Sequence, residues 1–337
     1  MGGSDRNIKV SLAMAGSCLT GGSEPANRRP LGSAMRILIY GAGVIGSVYG
    51  ARLRQAGHDV VFLARADRVE QLRQRGLQVE DVATGARITM QVEATASLAP
   101  DDPYDLVIVP VRGDQLDAVL PELARSRATP TVLFFGNNAG GPERLVEAIG
   151  KERVLLGFPG AAGERQDDAV RYMLIRPQRT TLGELGGRRT ERLERIKSAL
   201  ETAGFRVAIS ARMNAWLTSH AVFIVPLLAA VAIHKGNPRS LAQDRALLRL
   251  AVRATRQGFR SLASLGRLEI PVNLRLLYLW LPEPLAAAVW RRQLPTMLGL
   301  AAPPEEIAVL AAQLRAALVQ ASRPAPALDQ IFRRAGI

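Results

Sequence analysis

Three glycines stand at the spacing G-x-G-x-x-G in Gly41-Ala42-Gly43-Val44-Ile45-Gly46. Such a spacing handles phosphate without any charged side chain. The first glycine permits a tight turn, the second lets backbone approach a pyrophosphate, and the third lets a helix pack against a strand. The anion then meets the unpaired N–H groups of the helix N-terminus. The motif alone is weak, so its flanks decide. Arg36-Ile37-Leu38-Ile39-Tyr40 before it is a short β-prone run. Behind it, Val48, Tyr49 and Leu53 give an apolar-periodic helix that Gly57 would end, and Asp59-Val60-Val61-Phe62-Leu63 reads as a second strand. This β-α-β start predicts a dinucleotide site at Gly41, Ala42, Gly43, Val44, Ile45 and Gly46.

The end of the second strand selects the dinucleotide. An NAD site usually places Asp or Glu there, against the ribose 2′-hydroxyl. This chain has Leu63-Ala64-Arg65-Ala66-Asp67-Arg68. A guanidinium grips a 2′-phosphate with paired hydrogen bonds, whereas a carboxylate at that point repels it. NADP(H) is the expected cofactor; the competing reading leaves Arg65 and Arg68 in a solvated, arginine-rich loop and helix start.

The elements that must hold these residues follow the same alternation. Leu77-Gln78-Val79 and Arg87 to Val92 suggest a hairpin, Asp105 to Val109 a buried strand, Gln115 to Leu123 a helix, and Thr131 to Phe135 another strand. The latter ends in Gly136-Asn137-Asn138-Ala139-Gly140-Gly141-Pro142. Ligands of open α/β sheets bind outside the carboxyl ends of strands, which places this loop against a cofactor. It reads equally as a plain turn before the helix from Pro142 to Ile149. Val154 to Leu156, Val170 to Ile175 and Thr180 to Leu182 are further β-like segments; a helix from Glu191 to Ala203 and a strand from Arg206 to Ser210 complete the first half. The expectation is an α/β Rossmann-type, doubly wound parallel sheet over residues 35–210, followed by an all-α domain over 211–337 for substrate or dimerisation.

Between Arg212 and Lys235 lie 22 residues without Asp, Glu, Lys or Arg, enough for a membrane span. Asn214, Thr218, Ser219, His220 and Pro226 interrupt the run, cations flank both ends, and no second run accompanies it. It reads as a helix buried on all sides of a soluble domain. From Leu241 to Leu265, Arg245, Arg249, Arg253, Arg256 and Arg260 share one helix face, which reads as solvated. Pro271 to Arg291 and Glu305 to Ala321 continue the helices.

Composition narrows the classes further. The 337 residues are 48% hydrophobic and 22% charged, which excludes disorder and leaves room for about two domains. Net charge is +14, yet only Lys9, Lys151, Lys197 and Lys235 among the 44 cations are lysines. The arginines are spread among acids and no aromatic residues interleave those on the helix face, so compositional bias is preferred to a nucleic-acid face. Cys18 is the one cysteine, which excludes an internal disulfide and points to a reducing, cytoplasmic setting. His58, His220 and His234 share no ligand spacing, so no built-in metal centre is expected. Residues 1–34, rich in Gly, Ser, Asn and Pro, are expected to be a disordered extension or a mis-assigned start, because Met35 opens the first strand like a natural beginning.

Met35 to Ser47, Leu63-Ala64-Arg65, the Asn137 loop and a helical region led by Trp216 together resemble the ketopantoate reductase family, from Met35 to about Ile233. The resemblance implies a Rossmann domain, a helical C-terminal domain, and NADPH-dependent reduction of a 2-keto acid to a 2-hydroxy acid, on the route to pantothenate, with a small-molecule substrate, a possible homodimer, and neither nucleic acid nor membrane as partner. It gives Gly41 to Gly46 as the phosphate loop and Arg65 as the 2′-phosphate arginine. Arg112 stands where the family often has a cofactor-side lysine; Asn137 matches the asparagine that touches cofactor and substrate; Gly163 falls near another cofactor contact. Thr180 to Glu184 and the pattern from Trp216 to His220 are similar to one divergent branch.

Departures concentrate at the chemical step. Hydride delivery to a ketone leaves an alkoxide to be stabilised and protonated, and the family places a lysine two residues after the tryptophan, with asparagines one and two turns on. Here these positions hold Thr218, Val222 and Pro226. The family's Arg-x-Thr-Glu run with its substrate-binding glutamate has no evident counterpart; the chain has Trp290 to Pro295 and then Glu305-Glu306. Thr218 is thus the first catalytic candidate by position. His220 is a candidate proton donor, although it lies about 200° from Thr218 around the helix and reads equally as a buried structural histidine. Arg212 or Lys235 could hold a substrate carboxylate. Three accounts follow: a reductase of a different, more apolar keto substrate; a nucleotide-binding protein without catalysis; and membrane association through residues 213–234.

Overall fold

The computed structural model describes residues 33–337. Cys18 and nearly all of the stretch 1–34 lie outside the described residues. The first half runs β1 (Arg36–Tyr40), α1 (Val44–Gln55), β2 (Asp59–Leu63), α2 (Ala66–Arg75), β3 (Leu77–Asp81), β4 (Arg87–Met90), β5 (Glu93–Thr95), β6 (Leu106–Val109), α3 (Leu116–Arg125), β7 (Val132–Phe135), α4 (Glu143–Ile149), β8 (Val154–Phe158), β9 (Ala161–Gln166), β10 (Ala169–Leu174), β11 (Thr180–Gly183), α5 (Glu191–Thr202) and β12 (Val207–Ile209). Only helices follow: α6 (Met213–Ile233), α7 (Pro238–Leu241), α8 (Arg245–Ser264), α9 (Val272–Arg275), α10 (Glu283–Gln293), α11 (Pro304–Leu318) and α12 (Pro326–Arg334).

Alternation along β1 explains why helices cover both faces of its sheet. Ile37 and Ile39 pack with residues of α1 and α5, while Leu38 and Tyr40 pack with residues of α3 and α4. A strand with both faces covered needs apolar residues at every position, and Ile37 to Tyr40 are all buried. The main sheet has the order β12-β11-β8-β7-β6-β1-β2-β5. β1 pairs parallel with β2 and β6, and β7 parallel with β6 and β8. The expected parallel sheet needs one correction: β11 runs antiparallel to β8 and carries β12 with it.

A second sheet, β4-β3-β10-β9, lies apart from the first. The predicted hairpin is there, with Leu77 opposite Met90, and it joins β10 and β9 instead of the main sheet. β5, β9 and α12 were not anticipated. β9 (Ala-Ala-Gly-Glu-Arg-Gln) lacks an apolar alternation, and its pairing with β10 supplies the order that its own sequence does not.

α6 joins the two halves. Met213 and Leu217 pack on the sheet, and residues from Ala221 to Val231 lie inside the helical core. It is long and apolar enough to cross a membrane, but most of its surface is buried within the fold, so it is a core helix. The arginine face of α8 is largely solvated, with Arg245, Arg249, Arg253 and Arg260 exposed and Arg256 half-buried, but two of its members also bind the neighbouring helices. Arg253 pairs with Glu283 at 2.9 and 3.0 Å, and Arg256 donates to the carbonyls of Tyr278 (2.6 Å) and Leu281 (2.5 Å). The π-helical turn Leu276–Trp280 leaves carbonyls in need of donors, and α8 provides them.

Candidate active site

The glycine loop is shaped by two close approaches. Gly41 has φ +118°, and its N–H donates to the carbonyls of Leu63 (2.8 Å) and Ile39 (3.0 Å), tying the turn to both strands. A Cβ on Gly46 would lie 2.0 Å from the Gly41 carbonyl oxygen, so no side chain fits there. Gly43 is the N-cap of α1 without a side-chain cap, and nothing lies within 4 Å of where its Cβ would be. The helix start is therefore without a side-chain cap, the space beside Gly43 is open, and the first turn of α1 has no acidic residue. This cradle fits a pyrophosphate.

Around the loop stand Arg65, the exposed N-cap of α2, and two residues of β9. A Cβ on Gly163 would come within 3.0 Å of Val44 Cγ1, and Arg165 Nη2 donates to the Ala42 carbonyl at 2.7 Å. β9 therefore lies along the glycine loop, bringing Gly163 close to it.

A second cluster gathers beyond the carboxyl ends of β6 and β7. α11 presents Glu306, Val309 and Gln313 at helical spacing on one face. Gln313 accepts the Ala139 N–H at 3.0 Å, Val309 lies against Gly113, and the Glu306 carboxylate receives a hydrogen bond from the Asn137 side chain. Arg112 Nε stands 3.7 Å from Glu306, while the same guanidinium binds Asp114 at 3.0 and 3.1 Å. Glu306 is only 9% exposed. Burial pushes its carboxyl above the ordinary range, and Asn137 and Arg112 offset part of that rise. Asn137 Oδ1 is buried without a partner among the described residues. An unsatisfied buried amide oxygen next to a carboxyl group that holds its proton readily is an arrangement for handling a polar ligand.

α6 carries an aromatic cluster packed against the end of β8. Phe158, at the end of β8, contacts Trp216 (5.5 Å) and His220 (4.0 Å), and the Trp216 and His220 rings lie parallel at 5.3 Å. Phe223 follows at 5.6 Å from His220. Burial alone drives His220 from its ordinary 6.5 down to about 3, so the ring is neutral at physiological pH. The Thr218 hydroxyl donates to the Asn214 carbonyl at 3.0 Å, one turn back, and is buried.

The ketopantoate reductase PanE/ApbA family model matches residues 37–187. The match spans less than half of the chain, which over those residues is similar to that family as a distant homologue. It is 28% identical over 191 residues to the uncharacterised oxidoreductase YkpB of Bacillus subtilis (strain 168), covering 56% of this chain and 62% of that protein. To the 2-dehydropantoate 2-reductase of Pyrococcus horikoshii it is 26% identical over 227 residues, covering 66% and 72%. The match to YkpB thus spans less than two thirds of that relative's length. Among solved structures, D-mandelate dehydrogenase with NADH and anilino(oxo)acetate superposes with a TM-score of 0.71 at 19% identity, covering 90% of this chain and 97% of that one. The 2-dehydropantoate 2-reductase of Geobacter metallireducens GS-15 gives 0.69 at 20% identity, with 90% and 99% covered. These likenesses establish the fold: a mostly parallel α/β sheet followed by helices, as in ketopantoate reductases.

Within this ketopantoate reductase fold the structure gathers Gly41 to Gly46, Arg65 and Gly163 at one place, and Arg112 and Asn137 at another. Thr218 and His220 share α6 but not a direction. Arg212 is engaged with the Gly266 carbonyl and with Glu269 at 3.6 Å, and Lys235 is exposed at the opposite end of α6. Sequence reasoning missed Arg165 and Glu306. The first sits on a strand without a strand-like pattern. The second had one signal, an acid in the first turn of a largely apolar helix with Gln313 on the same face two turns on.

Proposed function

We propose that the protein is an NADPH-dependent reductase of a 2-keto acid whose side chain is apolar or aromatic. The observation that carries this reading is the pairing of Asn137 with the buried Glu306 at the carboxyl edge of the sheet that also carries the glycine loop. The residues present fit a nicotinamide dinucleotide: Gly41 to Gly46 would hold the pyrophosphate, Arg65 the 2′-phosphate, and Asn137 and Arg112 the face near the reacting end. When bound, that cofactor supplies the hydride that turns a ketone into an alkoxide.

This chain's residues then have to orient the ketone and provide one proton. Glu306 holds its proton more tightly than an ordinary carboxyl group, which suits it to protonate the alkoxide oxygen and recover the proton from solvent afterwards. Asn137 orients that carboxyl group through its amide and offers its free Oδ1 to ligand. Thr218 has its hydroxyl proton committed to Asn214, and neutral His220 serves better as an aromatic surface than as an acid. Phe158, Trp216, His220 and Phe223 favour a side chain larger and less polar than that of a hydroxylated aliphatic acid. The bound anilino(oxo)acetate of the D-mandelate dehydrogenase structure is consistent with that choice.

The test is calorimetric binding of NADPH and NADH, followed by NADPH consumption with ketopantoate and a panel of aromatic and branched 2-keto acids. Turnover of an aromatic or branched substrate above ketopantoate supports the proposal. Binding without turnover favours the alternative of a non-catalytic NADP-binding protein, in which the substitution of the family lysine by Thr218 has ended the chemistry.

A further inference from the structure

Arg68 is an unusual buried cation. It is 8% exposed, and its Nε and Nη2 have no partner among the described residues. Its remaining nitrogen, Nη1, donates to Gln71. The nearby carboxylate, Asp168, is occupied by Gln71 and by Arg75. Charged neighbours deepen the problem. Arg165, from β9 of the other sheet, comes close enough to repel Arg68, and Arg65 repels Arg165 in turn; Asp67 gives partial relief to both. Burial first, and then Arg165, brings Arg68 down to about 10. Leaving guanidinium donors unpaired in the interior is costly, and placing a second cation beside them adds to that cost. Three cations, two of them relieved only in part by Asp67, next to a loop shaped for phosphate, form a site arranged for an anion.

We propose that Arg65, Arg68 and Arg165 form a single seat for the 2′-phosphate of the dinucleotide, so that preference for the phosphorylated cofactor depends on β9 and the inner face of α2 as well as on Arg65. The inference rests on the nicotinamide-dinucleotide reading above. Arg165 Nη2 donates to the Ala42 carbonyl at 2.7 Å, inside the glycine loop itself. That hydrogen bond keeps the guanidinium beside the loop, so β9 contributes to cofactor choice although it lies outside the β-α-β unit.

The experiment is calorimetry on the full-length protein with 2′,5′-ADP, 5′-AMP, NADPH and NADH, repeated on Arg165→Ala and Arg68→Met. The first probe carries the 2′-phosphate without nicotinamide, so the readout does not depend on turnover. Charge-assisted hydrogen bonds of this kind change affinity by roughly ten- to a hundredfold. Each variant is expected to weaken 2′,5′-ADP and NADPH by at least about tenfold and to leave 5′-AMP and NADH within about twofold. Apo Arg68→Met should melt no lower than wild type, because it removes an unpaired buried charge. Arg165→Ala alters a partly exposed residue and remains informative even if Arg68→Met folds poorly. Unchanged 2′,5′-ADP binding in Arg165→Ala would overturn the proposal, as would equal losses for NADH and NADPH, which would make the arginines general supports of the loop. A wild-type protein that binds NADH and NADPH alike would remove the seat and keep the dinucleotide site. Binding of neither would remove both.

Discussion

At the scale of single residues the proposed chemistry turns on Glu306, because a largely buried carboxyl group holds its proton more tightly than an exposed one, even with the Asn137 amide and Arg112 beside it. Its raised value has a definite linkage sign. The native state binds this proton more tightly than the unfolded chain, so the contribution to stability is complete below the unfolded value near 4.5 and is lost as pH rises through the folded value. Glu306→Gln should therefore be relatively more stable than wild type at pH 8 than at pH 4, as read from urea midpoints at the two pH values. His220 has the opposite profile: folding excludes its protonation, so stability declines as pH falls below 6.5 toward 3. His220→Phe, which keeps the aromatic contacts to Phe158 and Trp216, should flatten the fall of melting temperature between pH 6.5 and pH 4; an unchanged slope would mean that His220 is solvated. The positions of the glycine loop and of Arg65 in the fold were legible in the sequence because they lie in or just after one β-α-β unit, where spacing alone carries the geometry. Glu306 against Asn137 was not, since the first turn of α11 and the loop after β7, far apart in the chain, create that contact.

Elements decide how closely these residues approach one another. α1 can bring its N-terminus to the sheet only because Gly46 lacks a side chain. Gly46→Ala should cost about 1–3 kcal/mol through overpacking and reduce NADPH binding further, since the Gly41 carbonyl must move; a lower urea midpoint together with a weaker calorimetric signal checks both. The strand runs of the main sheet were readable because strands buried on two faces are apolar at every position, as Leu106 to Val109 and Val132 to Phe135 are. β9 was not readable, because its order comes from β10 and from the loop it lies against. The antiparallel edge made by β11 and β12 was also hidden, since strand direction is set by connections and not by composition.

At the level of the whole molecule, α11 and α6 tie the helices to the sheet. Gln313 reaches the loop after β7, and the Ala139 beside it is buried in the helical core. Gln313→Ala should cost about 1 kcal/mol, speed hydrogen exchange at residues 137–141, and raise KM for the keto acid more than it lowers kcat, because the loop carrying Asn137 loses its tether. No change in exchange there would show that the tether is dispensable. The change from strands to helices after Ser210 was plain in the sequence, and so was the long apolar run of α6. The way α11 folds back onto the sheet edge was not, because it depends on how the helical core packs as a unit.

We propose that Glu306, held by Asn137, gives the proton that completes keto-acid reduction. NADPH consumption with an aromatic 2-keto acid, measured side by side for wild type and Glu306→Gln with NADPH binding checked in both, tests it most directly. NADPH affinity is expected to be unchanged and kcat to fall by about a hundredfold or more, in the range expected for removing a general acid. Equal turnover by the two proteins would contradict it.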